Sequence, residues 1–472
     1  MRVLLVYPPA RDASKPPIGI CYLSSYLRQK GHQIEVLDLT AGPLSEDELQ
    51  KRIEGFHVYD CIGISAIITA YNFVKDFSGK VRKKFPNIPI MVGNAISVSC
   101  PRTLLENSAV DVIVVDEGEL TVAEVVENIK ERKNFINIKG LWFKDEEGNI
   151  NRTPPRERIK DIDSLPRPAW DLINMSVYIK HSSAYLDRGI RTGWISAVRG
   201  CPFRCEYCSR SFGNKVVNRT ANSMVDEILE FNRLFKSTHF QMLADLFMAN
   251  PKMVKSFARC LIERKVDITW ECTGRVDLVD EELLLLMRQS NCISVSYGIE
   301  SGSQKILDNM DKRVTVEQAK RAIELTRKVD LKLKTPFMFG YVGEDRESIA
   351  DTVNFIKEMK LGSTVLFFST PYPGTPLYGW AREKNRIKYD EDTYLSLLGN
   401  NADKFLVNLT DFSDEELLKL KSDTELKLRR ILPFKVKVEK YVIKRAYHIK
   451  ARIVQLGFIG TVKKIVTKIM GL

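Results

Sequence analysis

Three cysteines, Cys201, Cys205 and Cys208, follow directly on an apolar run from Trp194 to Val198 that reads as a buried strand. A chain with CxxxCxxC at a strand end must fold so that one short loop gathers three thiolates. Such a loop can wrap three irons of a [4Fe–4S] cluster, whose usual ligands are thiolates, and it leaves the fourth iron open to a small molecule. Zinc is the alternative, but it needs a further Cys or His ligand, and the nearest histidine in the sequence is His181. Gly200 and Pro202 suit the tight turn such a loop makes.

The stretch from Arg199 to Ser209 resembles the radical SAM superfamily, whose signature is CxxxCxΦC with an aromatic before the last cysteine; Tyr207 fills that place. The resemblance implies that Cys201, Cys205 and Cys208 hold the cluster. It also implies that the open iron chelates S-adenosylmethionine and that the reduced cluster cleaves it to a 5′-deoxyadenosyl radical.

Length and charge set the frame. A chain of 472 residues implies two to three domains. Its opening apolar run closes at Pro8-Pro9, so it reads as a first strand and not as a signal peptide. No apolar run is long enough to span a membrane. Nine cysteines without paired spacing point to a reducing, cytoplasmic setting. The net charge of +12 is confined to the tail: from Lys427 onward 13 Lys/Arg face one acid, Glu439, so the rest of the chain is balanced. An argument for nucleic acid from the overall charge is therefore disfavoured.

Residues 1–135 alternate short apolar runs, near 2–7, 33–38, 61–66, 88–93 and 111–115, with amphipathic stretches, the pattern of a doubly wound, Rossmann-like parallel sheet. Ligands of such sheets sit beyond the carboxyl ends of the strands. This part is similar to the cobalamin-binding domain that precedes the barrel in a large group of radical SAM enzymes. The matching pieces are Pro16-Pro17-Ile18-Gly19, Gly63-Ile64-Ser65-Ala66 and Asp116-Glu117-Gly118-Glu119. The Asp-x-His-x-x-Gly ligand motif of cobalamin mutases is absent, and Gly93-Asn94-Ala95-Ile96 replaces the Gly-Gly-Pro-His of many group members. The resemblance implies cobalamin contacts at Ser65, Gly93, Glu117 and Gly118; the alternative is a retained fold without the cofactor. A second cluster on Cys21, Cys61 and Cys100 is disfavoured, because Cys61 opens its strand while the other two follow theirs.

Residues 136–190 read as a connector, with Trp170 expected to pack between domains. Residues 191–380 read as six strand–helix units, a partial (β/α)6 barrel whose chemistry sits at the strand ends. Asp280 and Thr315 are expected helix N-caps. Resemblance to the family assigns Asp245, after strand two, and Glu300-Ser301, in Gly298-Ile299-Glu300-Ser301-Gly302-Ser303, to S-adenosylmethionine, with Tyr207 beside the cluster. Arg275, after strand three, suits a carboxylate. Tyr341 and Tyr372 stand at later strand ends as candidates to relay a radical.

Residues 381–472 read as a helical extension ending in a basic amphipathic tail, 433–472. Such a tail fits an anionic membrane surface, a helix packed on the barrel, or RNA. The expectation is thus a radical SAM enzyme that functionalises an unactivated C–H bond through cobalamin-dependent methylation of a small-molecule or lipid substrate. Cobalamin-free ring formation and RNA modification are the alternatives. It would draw electrons from a flavodoxin or ferredoxin, and it would work in the cytoplasm or on the inner membrane face.

Overall fold

The computed structural model describes residues 1–10, 13–130, 132–185, 190–362, 364–399 and 405–431. The basic tail, 433–472, with the membrane expectation attached to it, lies outside the described residues. Among the described residues no helix is long and apolar enough to cross a membrane.

The first sheet is built from β1 (Arg2–Tyr7), β2 (Gln33–Asp38), β3 (Cys61–Ser65), β4 (Ile90–Gly93), β5 (Val112–Val114), β6 (Leu141–Lys144) and β7 (Ile150–Arg152). Its order is β2-β1-β3-β4-β5-β6-β7, and the first five strands are parallel. β1 lies inside the sheet, and Val3 to Val6 are buried as the continuous apolar run that a strand covered on both faces requires. The strand order reverses between β1 and β3, which opens a crevice at their carboxyl ends. β6 and β7 form an antiparallel pair that extends this sheet through Arg152. The connector therefore begins by completing the first sheet, and it continues with a helix at Met175–Tyr185 that periodicity did not signal.

The second sheet holds β8 (Thr192–Arg199), β9 (Val217–Asn218), β10 (His239–Ala244), β11 (Thr269–Gly274), β12 (Cys292–Tyr297), β13 (Lys332–Phe339) and β14 (Thr364–Phe368). Its order, β14-β13-β12-β11-β10-β8-β9, makes six parallel strands of a partial barrel, with β9 antiparallel at one edge. Helices between the strands start where the sequence supplies caps. Asp280 accepts from Leu283 N–H, and Thr315 forms a reciprocal capping box with Gln318. One extra residue in β8, opposite the Leu243–Ala244 step of β10, shifts the register where the two strands approach the cysteine loop.

The domains are locked by buried charge. Glu227, on the barrel helix Ala221–Phe235, is 1% exposed. Its Oε2 accepts from Arg219 (2.5 Å), from Arg167 of the connector (3.0 Å) and from the Tyr22 hydroxyl of the first domain (3.1 Å). Trp170 lies edge-on against Phe231 of the same helix, with centroids 5.3 Å apart. From the other side, the helix Glu391–Leu398 returns to the first domain, where Asp392 accepts from Tyr71 and Lys75, each at 2.5 Å.

Removing one partner of a buried ionic network leaves the other charge desolvated and costs about 3–5 kcal/mol. Arg219→Met is expected to lower the free energy of unfolding by that amount, as denaturant titration would read. A change below about 1 kcal/mol would show that Glu227 is held by the Tyr22 and Arg167 contacts alone.

Candidate active site

The carboxyl ends of the two sheets face one another across a cavity of about 290 Å³. From the first domain it is lined by strand-end and helix-start residues, among them Ser65, Gly93, Asn94 and Gly118; from the barrel by Val198, Ala244 and Asp245. The first-domain side forms a floor in which Gly63, Ser65, Gly93 and Gly118 lie among the larger Leu5, Ile18, Met91 and Val114. Asn94 adopts φ 76° and donates its amide to the Ser65 hydroxyl at 3.1 Å, which sets the rim of that floor. No histidine is among the lining residues.

The cysteine loop leaves β8 at the edge of this cavity. Gly200 has φ +87°, and a Cβ there would stand 2.1 Å from the Lys215 carbonyl oxygen, so only glycine closes the turn. Its N–H donates to Asp245 Oδ2 at 2.8 Å. Asp245 is reached by solvent through the cavity, yet the enclosing walls push its carboxyl above the usual range by burial. Cys205 is buried, while Cys201 and Cys208 are half-buried. Burial, then the neighbouring Cys205 and Cys201, push the Cys208 thiol up to about 11. Among the described residues no three His, Cys, Asp or Glu side chains converge on a single metal ion. A cluster takes its thiolates on different irons, and a donor set of three cysteines on one loop fits that group.

Two anchors hold the loop. The Tyr207 hydroxyl donates to Glu300 Oε1 at 3.2 Å, and Lys312 Nζ donates to the Tyr207 hydroxyl at 3.2 Å and to Glu300 at 3.5 Å. Glu300 adopts φ 68°, and a Cβ at Gly298 would meet its carboxylate at 2.4 Å, so both residues of the motif serve that carboxylate's placement. Arg199, immediately before the turn, reaches the other way. Its guanidinium donates to Glu117 at 2.9 Å and to Glu119 at 2.5 Å in the first domain, and lies 5.3 Å from the centre of the Phe212 ring.

Several expected contacts fall elsewhere. Glu117 does not line the cavity. Burial would raise its carboxyl, but Arg158 and Arg199 outweigh this and hold it below the usual range, as a bridge between domains. Asp116, Gly118 and Glu119 are the members of that motif that reach the cavity wall. Ser301 turns outward, its hydroxyl 3.1 Å from that of Thr352 on the barrel helix Arg346–Glu358, because the Gly298–Ser303 turn packs its second half on that helix. Arg275 does not offer its fork to a ligand, since every arm is engaged by protein. Tyr341 is fully buried, edge-on to Tyr207 at 6.4 Å, and Tyr372 is half-buried; neither lines the cavity. Cys21, Cys61 and Cys100 are each buried in apolar cores. Arg199 and Lys312 were missed. Arg199 could have been noticed as a cation ending a buried strand; Lys312 left no local signal.

Comparison with known proteins gives the same two-part division. A family model described as the radical SAM superfamily matches residues 195–356, and one described as a B12 binding domain matches residues 12–126. The uncharacterized methyltransferase PH0819 of Pyrococcus horikoshii is 29% identical over 82% of this chain and 84% of its own length. The anaerobic magnesium-protoporphyrin IX monomethyl ester cyclase of Rubrivivax gelatinosus is 26% identical over 84% of this chain and 72% of its own. Among solved structures, the methyltransferase TsrM from Kitasatospora setae, with cobalamin and a [4Fe–4S] cluster bound, shares the fold. Its TM-score is 0.69 at 19% identity, over 83% of this chain and 79% of that one.

Gly200→Ala is expected to fold with wild-type circular dichroism but to retain little iron after anaerobic reconstitution. Full iron loading would show that the turn tolerates a side chain. A second expectation concerns Glu344, buried beside the Tyr341 turn, whose carboxyl burial pushes up to about 8. Between its ordinary value of 4.5 and about 8 the native state keeps a proton that the unfolded chain has lost. Stability therefore falls as pH rises through that window, by up to about 1.4 kcal/mol per unit, and is flat above it. Glu344→Gln should flatten the fall; denaturation at pH 5.5 and 8 checks this.

Proposed function

We infer what the chain does from what it is: a member of the radical SAM superfamily that carries a B12-binding domain ahead of its radical SAM domain. It is a radical SAM enzyme, and its cofactors are a [4Fe–4S] cluster, S-adenosylmethionine and cobalamin. When bound, these groups supply one-electron cleavage of a sulfonium carbon–sulfur bond and a transferable methyl group.

The reading is cobalamin-dependent methylation of an unactivated carbon in an apolar substrate of lipid or isoprenoid type. The observation that carries it is the shared cavity, lined from the first domain by the strand-end floor and from the barrel by Arg199, Ser211, Phe212, Ala244 and Asp245, which flank the cysteine loop. A methyl donor on the floor and a radical generated at the loop would then meet one substrate carbon without either leaving the protein. Cys201, Cys205 and Cys208 would hold the cluster, with Tyr207 seated between two of them by Glu300 and Lys312. Asp245 ties the loop to the barrel wall and presents a carboxylate beside it, suited to the amino group of S-adenosylmethionine. Ser65, Asn94 and the glycine backbone at Gly93 and Gly118 would meet the corrin side chains. The apolar lining from Leu5, Ile18, Val114 and Phe212 keeps water from a reactive intermediate and favours an apolar substrate. The cyclase relative, named for a porphyrin ester, supports that preference. An external one-electron donor of flavodoxin or ferredoxin type would reduce the cluster.

The test is anaerobic turnover with methyl-labelled S-adenosylmethionine, reductant, hydroxocobalamin and an apolar lipid extract. Methylation predicts S-adenosylhomocysteine and 5′-deoxyadenosine together, with label in an extractable product, all lost in Cys205→Ala. Formation of 5′-deoxyadenosine without S-adenosylhomocysteine would overturn methyl transfer and favour ring formation.

A further inference from the structure

Arg275 is the most heavily committed side chain of the cysteine loop's surroundings. It follows β11, its side chain is 5% exposed, and its planar group lies 3.7 Å from the centroid of the Phe203 ring inside the loop. Nε donates to Asp277 Oδ1 at 2.8 Å. Nη2 donates to the carbonyls of Lys312 and of Arg313, the latter at 3.3 Å. That leaves Nη1, which points at Cys205 Sγ at 3.7 Å, within hydrogen-bond range for sulfur. Cys205 is the most buried of the three cysteines. The loop that accepts from Arg275 also carries Lys312, which reaches Tyr207, and Met310, whose carbonyl accepts from Glu206 N–H at 3.0 Å. One guanidinium thus ties the end of β11, the cysteine loop and the 310–313 segment together, with its Nη1 arm turned to the Cys205 sulfur.

We propose that Arg275 is a positioning residue for the cluster, which fixes the Cys205 thiolate in ligating orientation and raises the cluster's reduction potential through a charged N–H donor to sulfur. This rests on the assignment of Cys205 as a cluster ligand. The electrostatics have a definite sign. Reduction adds an electron to the cluster and its thiolates, and a desolvated cation donating to one of those sulfurs stabilises the added charge. Only a planar fork can satisfy two carbonyls and a carboxylate while stacking on Phe203 and still present a donor to sulfur. Lysine keeps the charge but not this geometry. The carboxylate-binding role that its sequence position suggests would require one of these bonds to open.

The experiment compares reconstituted full-length wild type, Arg275→Lys and Arg275→Gln by iron content, binding of S-adenosylmethionine and redox titration of the reduced-cluster EPR signal. The expected result is full iron in Arg275→Lys with a more negative midpoint, and a larger shift in Arg275→Gln. A tenfold poorer reduction at fixed donor potential corresponds to about 59 mV for one electron. If Arg275→Gln cannot hold iron, Arg275→Lys alone carries the test. An unmoved midpoint at full iron loading overturns the proposal, whether or not S-adenosylmethionine binding weakens. A merely structural role would lower thermal stability and leave the midpoint in place. If wild type itself takes up no cluster, the failure belongs to the assignment of the three cysteines and not to Arg275.

Discussion

Arg199 carries a charge that has no way back to water. It ends β8, one residue before the turn that opens the cysteine loop, and it is 6% exposed. A guanidinium in that position must be paired, and its partners, Glu117 and Glu119, belong to the other domain. The pairing places the root of the cysteine loop against the end of β5 and so fixes the spacing across the cavity. The Glu227 network and the Glu391–Leu398 helix hold the same interface from two other sides. The two halves behave as one framework because their contact combines buried charges, which lose their partners if it opens, with apolar clusters that hold residues of both, such as Ile64 with Tyr341 and Cys21 with Trp194.

That constraint helps explain how two domains can share one site. In each sheet the parallel strands, five in the first and six in the second, end on the same side, and each sheet therefore places its chemistry beyond that carboxyl edge. Docking those edges face to face turns two open crevices into one enclosed volume. The asymmetry of its walls then divides the labour. The first-domain wall is mainly apolar, with Gly63, Ser65 and Gly93 set among Leu5, Ile18 and Val114, whereas the barrel wall brings Arg199, Asp245 and Phe212 beside the cysteine loop.

What the sequence revealed and what it hid follow from the range of the forces involved. The strands of both sheets and the caps at Asp280 and Thr315 are local, written in runs of apolar residues and in hydroxyl or carboxyl side chains three residues before the groups they accept from. The cysteine loop is equally local. The β6–β7 pair was hidden because Asn149 to Arg152 is polar and becomes a strand only by pairing at the sheet's edge. The directions of Glu117, Ser301 and Arg275 were hidden for a related reason: each lies in a motif at a strand end, and its side chain is aimed by a neighbour far away in the chain. Arg199 captures Glu117, Thr352 captures Ser301, and Phe203 with Cys205 captures Arg275. A motif tells which residues crowd a site, and packing decides which of them face the ligand.

Cobalamin and the cluster, if they share one cavity, must lie close enough for their electron spins to couple. The most direct measurement is EPR of the enzyme loaded with both groups, with cobalamin held as paramagnetic cob(II)alamin and the cluster stepped from its diamagnetic oxidised state to its paramagnetic reduced state. A shared cavity predicts that the cob(II)alamin signal broadens or splits by spin–spin coupling when the cluster is reduced, and that the coupling disappears in Cys205→Ala. A cob(II)alamin signal identical in the two cluster states would contradict the account, because the two groups would then lie too far apart to act on one carbon.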